Sequence, residues 1–76
     1  MAATKIIKQL LIERGLSAKD LADKLKILPQ SMSNKLYRDN FSFAEVVEIA
    51  HFLNCDVKII TRDSGKEFKS EIKADG

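Results

Sequence analysis

Apolar residues fall at helical spacings along most of the chain and change period only near its end. From Thr4 to Arg14 the set Ile6, Ile7, Leu10 and Leu11 recurs at one, three and four residues, which predicts a helix with one buried face. Gly15 follows, where a helix commonly ends on a left-handed residue. Ser17 opens the next helix, because its hydroxyl oxygen can accept from the free N–H groups of the first turn, and Asp20 lies near the positive end of that helix's dipole. Leu21, Ala22 and Leu25 give this short helix its inward face.

Proline then interrupts the pattern, in "LADKLKILPQSMSNKL". It lacks an N–H and disfavours helical geometry in the residue before it. Leu28 is therefore expected to be non-helical, and Pro29 suits the first position of a new helix. Lys26, Ile27 and Leu28 are left as a turn of the length that joins the two helices of a helix-turn-helix. The helix from Pro29 to about Arg38 is mostly polar, with Met32 and Leu36 facing inward. Asp39 or Asn40 supplies a left-handed stop. Ser42 and Glu45 form an S-x-x-E capping box ahead of a helix from Phe43 to Leu53, where Val46, Val47, Ile49, Ala50, Phe52 and Leu53 mark the centre of the core. Asn54 closes it. Beyond this, Val57, Ile59 and Thr61 alternate with Lys58, Ile60 and Arg62. Asp63-Ser64-Gly65 turns the chain, and Phe68, Ser70 and Ile72 alternate with Glu67, Lys69 and Glu71, which predicts a β-hairpin over about 57–72. Residues 73–76 are expected to fray. The fold class is mainly α: four helices, a helical core over 4–54, and a C-terminal hairpin, in one domain spanning 1–76.

With 76 residues the domain has a small core, burying roughly 60% of its unfolded surface, so a dimer interface would help it. The single cysteine, Cys55, excludes a disulfide framework and a cysteine-based zinc site, and it fits a reducing compartment. No apolar run reaches the ~20 residues of a membrane span, and MAATKIIKQ lacks the layout of a signal peptide; a cytoplasmic protein without membrane association is expected. Net charge is +2, but it is unevenly placed. Residues 17–38 carry Lys19, Lys24, Lys26, Lys35 and Arg38 against Asp20 and Asp23. Residues 43–56 carry Glu45, Glu48 and Asp56 without a lysine or arginine. A basic segment of this kind favours polyanionic partners.

The chemistry of residues 17–38 points the same way. A short helix, a tight turn and a polar second helix form the geometry that lets a helix enter the major groove of DNA. Gln and Asn bond bidentately to adenine, Ser donates or accepts at base edges, and Lys and Arg hold phosphates. The stretch "SAKDLADKLKILPQSMSNKL" resembles the helix-turn-helix core of the Cro and lambda-repressor-like (XRE-type) regulators, through Leu21-Ala22-x-x-Leu25, Ile27 and Met32-Ser33. "RDNFSFAEVVEIAHFLNCDV" resembles the fourth helix of that family, with a serine cap and Ile49, Ala50 and Leu53 in its Ile-Ala-x-x-Leu pattern. The resemblance covers about residues 4–57.

The resemblance implies sequence-specific binding of double-stranded DNA by a recognition helix over about 29–38, in a small transcriptional regulator acting as a repressor. It implies base-edge contacts at Gln30, Ser31, Ser33 and Asn34, and phosphate contacts at Ser17, Lys19, Lys35, Arg38 and Asn40. Pro29 stands at a position that often touches bases in the family. The sequence departs from the pattern at Lys26, where Gly is usual, and at Leu28, which replaces a Ser or Thr cap. Each departure costs ~1 kcal/mol. The chain ends in strands, as in the Cro subgroup, and a two-stranded hairpin exposes edges that a partner hairpin would cover, which predicts a homodimer; the alternative is a hairpin folded back on its own helices in a monomer. A protein-interaction adaptor or antitoxin on the same fold is the rival class. Tyr37 is read as a half-buried ring bracing helix to loop, and Phe41 and Phe43 as core or staple residues. His51 and Cys55 are read as packing residues; no catalytic residues, metal or cofactor are expected.

Overall fold

The computed structural model describes residues 3–70. Four helices, α1 (Ala3–Arg14), α2 (Ala18–Leu25), α3 (Pro29–Arg38) and α4 (Phe43–Phe52), precede two strands, β1 (Val57–Ile60) and β2 (Glu67–Ser70). The core gathers one face from each helix: Ala3, Ile7 and Leu11 from α1, Leu21 and Ala22 from α2, Met32 and Leu36 from α3, Ile49 from α4, with Phe41 and Leu53 at its ends. Ile7, Leu21, Met32, Ile49 and Leu53 are the largest fully buried side chains, each contributing about 1.5–3 kcal/mol by leaving water.

Helix starts follow the polar residues that can cap them. Ser17 Oγ accepts from the Asp20 N–H at 3.2 Å while Asp20 Oδ2 accepts from the Ser17 N–H at 2.8 Å, and Ser42 and Glu45 make the same reciprocal pair at 3.1 and 2.9 Å. The Ser17 N–H and hydroxyl hold the Asp20 carboxyl below the usual range. α3 begins differently. Leu28 caps it in extended conformation with no side-chain hydrogen bond, and Pro29 occupies the first turn.

Helix ends share one device. In α1 the Leu16 N–H returns to Leu11 O (2.9 Å), in α2 Ile27 N–H to Ala22 O (3.0 Å), in α3 Asn40 N–H to Lys35 O (3.3 Å), and in α4 Cys55 N–H to Ala50 O (2.8 Å). Each bond reaches back five residues across a residue with positive φ, which is the Schellman stop. Those residues are Gly15 (φ 67°), Lys26 (59°), Asp39 (53°) and Asn54 (60°). Leu16, Ile27 and Cys55, just past the left-handed residue, pack against the core and help fix three of the four stops.

The hairpin pairs Ile59 with Phe68 and Ile60 with Glu67 in an antiparallel register. Thr61 leaves the strand to organise the turn: its N–H donates to Lys66 O, its carbonyl accepts from Gly65, and its hydroxyl accepts from the Lys66 N–H. Lys58 and Glu67 pair across the strands at 2.9 Å, which raises the Lys58 pKa. Ile72 and residues 73–76 lie outside the described residues, and so does the far end of the expected hairpin.

Three aromatic expectations need correcting. Tyr37 is not half-buried: it is 91% exposed, because Met32 and Leu36 set the inward line of α3 and position 37 falls on the opposite side. Phe43 (52% exposed) and Phe52 (39%) are likewise outside the core, displaced by the helical phase of Ile49, Ala50 and Leu53, whereas Phe41 is buried.

Candidate nucleic-acid interface

α2, the turn and α3 place one polar surface outward. The turn holds because Lys26 takes the left-handed conformation that its Schellman bond requires, which ends α2 before α3 begins at Pro29. On α3, at 3.6 residues per turn, Asn34 lies roughly opposite the mean direction of Met32 and Leu36, with Gln30 and Tyr37 to one side and Arg38 and Ser31 to the other. Gln30, Ser31, Ser33, Asn34, Tyr37 and Arg38 are all exposed. Among the described residues, none of these six side chains takes part in a hydrogen bond or ion pair. Burial does not explain this row, and neither do internal contacts.

The outer end of α3 is anchored to two other helices. Thr4 Oγ1 donates to Leu36 O at 2.8 Å, and the Thr4 N–H donates to Asp39 Oδ1 at 2.9 Å. The start of α1 and the end of α3 thus cap each other, and the Thr4 N–H holds the Asp39 carboxyl below its ordinary value. Lys35 turns toward α4. Its Nζ lies 2.6 Å from Glu45 Oε2 and 5.9 Å from the centroid of the Phe41 ring, while Glu45 Oε1 completes the α4 capping box. That pairing lowers the Glu45 pKa. A phosphate approaching Lys35 competes with this carboxylate.

The other expected phosphate contacts lie at either end of the surface. Ser17 and Lys19 are exposed at the start of α2, the Ser17 hydroxyl already engaged in its capping box; Arg38 and Asn40 are exposed at the end of α3. Pro29 is exposed at the first turn of α3, beside Gln30. The sequence marks Asp39 and Glu45 only as residues of a helix stop and a capping box, and gives no sign that Asp39 meets Thr4 or that Glu45 meets Lys35. Their partners stand 10 to 35 positions away, so local spacing carries no sign of them.

His51 and Cys55 have different neighbours. His51 stacks edge-on against Phe52 with ring centroids 5.9 Å apart. The Cys55 thiol lies against Leu53 O at 3.3 Å and the Arg14 guanidinium at 3.6 Å. Among the described residues no group of three or more His, Cys, Asp or Glu side chains is placed to hold a metal ion, and no helix is long and apolar enough to cross a membrane.

The family model described as the Cro/C1-type HTH DNA-binding domain matches residues 6–59. No curated protein and no solved structure matches the chain. The match takes in all of α2, α3, α4 and the turn between α2 and α3, and it extends over well more than half of the sequence. α2, the turn and α3 are therefore the helix-turn-helix of this domain, and the chain belongs to the Cro/C1-type HTH DNA-binding family.

Proposed function

We propose that this protein is a sequence-specific transcriptional repressor that binds a two-fold DNA site as a homodimer. The observation that carries the reading is the row of outward, internally unpartnered polar side chains on α3. Gln30 and Asn34 bond to base edges in the major groove, with Ser31 and Ser33 beside them and Pro29 lying against the bases at the helix start. Ser17, Lys19, Arg38 and Asn40 fix the register on phosphates, and Lys35 adds charge there from its place beside Glu45. Bound over a promoter, the domain represses by occupying it.

The hairpin supports the dimer. Ile59 (61% exposed) and its partner Phe68 (58%) form an apolar face with Phe43, next to a groove of about 290 Å³ lined by Ile6, Leu10, Val46 and Val57. A second copy on this face would cover the apolar surface and an open strand edge together. It would set the two recognition helices at half-sites about one DNA turn, roughly 34 Å, apart.

Selection from mixed genomic duplexes, followed by gel shift at two salt concentrations, tests the reading. The wild type is expected to retain particular fragments at sub-micromolar affinity, with binding that falls steeply as salt rises. The Gln30→Ala/Asn34→Ala variant should keep only weak, unselective binding. Equal weak binding of every fragment by both proteins would overturn the regulator reading in favour of a protein-binding adaptor or antitoxin. Sedimentation tests the dimer separately: a sole species of 8.6 kDa at high micromolar concentration contradicts it, whereas Phe68→Lys should dissociate a dimer without unfolding the helices.

A further inference from the structure

Tyr37 is the most exposed large apolar side chain among the described residues, at 91%, and folding gives no reason for it. An aromatic ring on a solvent-facing helical position gains nothing from burial and has a lower helix propensity than the lysine, glutamine or glutamate that would serve there. Its placement on α3 is specific. Gln30, Asn34 and Tyr37 are spaced by four and then three residues, so they form one line on the outer face, extending about 10 Å along the helix at 1.5 Å per residue. Arg38 stands beside it, exposed and unpartnered. A helix lying in the major groove carries this line across about three base pairs at 3.4 Å each.

We propose that Tyr37 is a specificity-determining residue whose ring packs against the C5-methyl group of a thymine, at the end of the row begun by Gln30 and Asn34. This rests on the DNA-binding orientation of α3 described above. In an intact duplex the base faces are covered by their neighbours, so a groove-borne ring meets base edges, and the thymine methyl is the apolar group that the major groove presents. The contact would shield both ring and methyl from water and give Tyr37 a function that its exposure in the free protein leaves open. The phenolic oxygen, at the tip of the same ring, is left to solvent or to the groove wall, so the apolar contact does not depend on it.

The test uses a fragment selected by the wild-type protein, with each thymine replaced in turn by deoxyuridine, which deletes only the methyl group. At one position the replacement should weaken wild-type binding about fourfold, the worth of one methyl carbon removed from an apolar contact. Tyr37→Ala should bind the parent fragment more weakly and be indifferent to deoxyuridine at that position, while Tyr37→Phe should keep the sensitivity. Because the side chain is exposed, both variants should melt with the wild type, which separates loss of contact from loss of fold. Two results overturn the proposal while leaving the recognition helix intact: no thymine position whose effect disappears in Tyr37→Ala, or wild-type affinity in that variant while Gln30→Ala/Asn34→Ala loses selection. Failure of the wild type to select any fragment overturns both.

Discussion

Replacing Lys26 with glycine should make this protein more stable, although Lys26 makes no side-chain contact that glycine would improve. The residue sits at φ 59°, ψ 42°, between α2 and α3. An L-residue in this region brings Cβ close to the following carbonyl, at a cost of roughly 1–2 kcal/mol. Glycine removes that cost but loses more backbone freedom on folding, which returns about 0.5–1 kcal/mol. The native hydrogen bonds use backbone atoms only, Lys26 N–H to Asp23 O at 3.2 Å and Ile27 N–H to Ala22 O at 3.0 Å, so they survive the change. The side chain is exposed, so no packing is lost. The net gain is about 0.5–1 kcal/mol, and at ~4–8 °C per kcal/mol for a domain of this size Tm should rise by ~2–8 °C. Thermal unfolding followed by circular dichroism measures it, with Lys26→Ala beside it, which removes the same charge and keeps Cβ. If the glycine variant is no more stable than the alanine variant, left-handed strain is not what Lys26 contributes. Gly15→Ala supplies the converse. A Cβ there meets no atom within 4 Å, so the loss of about 1 kcal/mol expected at φ 67° is backbone strain alone.

Two further outcomes follow from the caps and carboxylates. Leu28 starts the recognition helix 72% exposed and without a side-chain acceptor, so Leu28→Ser should add ~0.5–1 kcal/mol by capping it, read as a higher urea midpoint at unchanged m; an unchanged midpoint would mean that Pro29 already leaves no N–H within reach. Asp20, Asp39 and Glu45 are all held below their ordinary values, 3.8 for aspartate and 4.5 for glutamate. Below those values the unfolded chain binds protons that the folded one refuses. Stability should therefore be fully present above about pH 5 and fall progressively as the pH drops through 4 and beneath. Asp39→Asn should make that acid limb shallower; urea midpoints level down to pH 3 would contradict the assignment.

Much of this architecture is written in local sequence, because its signals are local. Ser17 with Asp20 and Ser42 with Glu45 announce two helix starts within four residues each, and Pro29 announces a third. Gly15 marks one stop openly. Lys26 marks another only by its place between Leu25 and Pro29, since nothing in its chemistry asks for positive φ. Tyr37 departs from expectation because an aromatic residue in a small domain suggests burial, and here the helical phase set by Met32 and Leu36 overrides composition. The clasp between Thr4 and Asp39 and the link from Lys35 to Glu45 could not be read in the same way. They join residues that become neighbours only once the helices have packed. The exposed polar face of α3 is legible in the sequence, whereas the contacts that hold α3 in place are not.

The clasp joins segments that are remote along the chain. Because Thr4 and Asp39 cap each other's helices, the first turn of α1 and the last turn of the recognition helix cannot fray independently: opening either one releases two hydrogen bonds at once. The pair behaves as one latch. Whatever holds α3 still therefore also quiets the chain 35 residues earlier, and the Thr4 amide registers whether that helix is at rest.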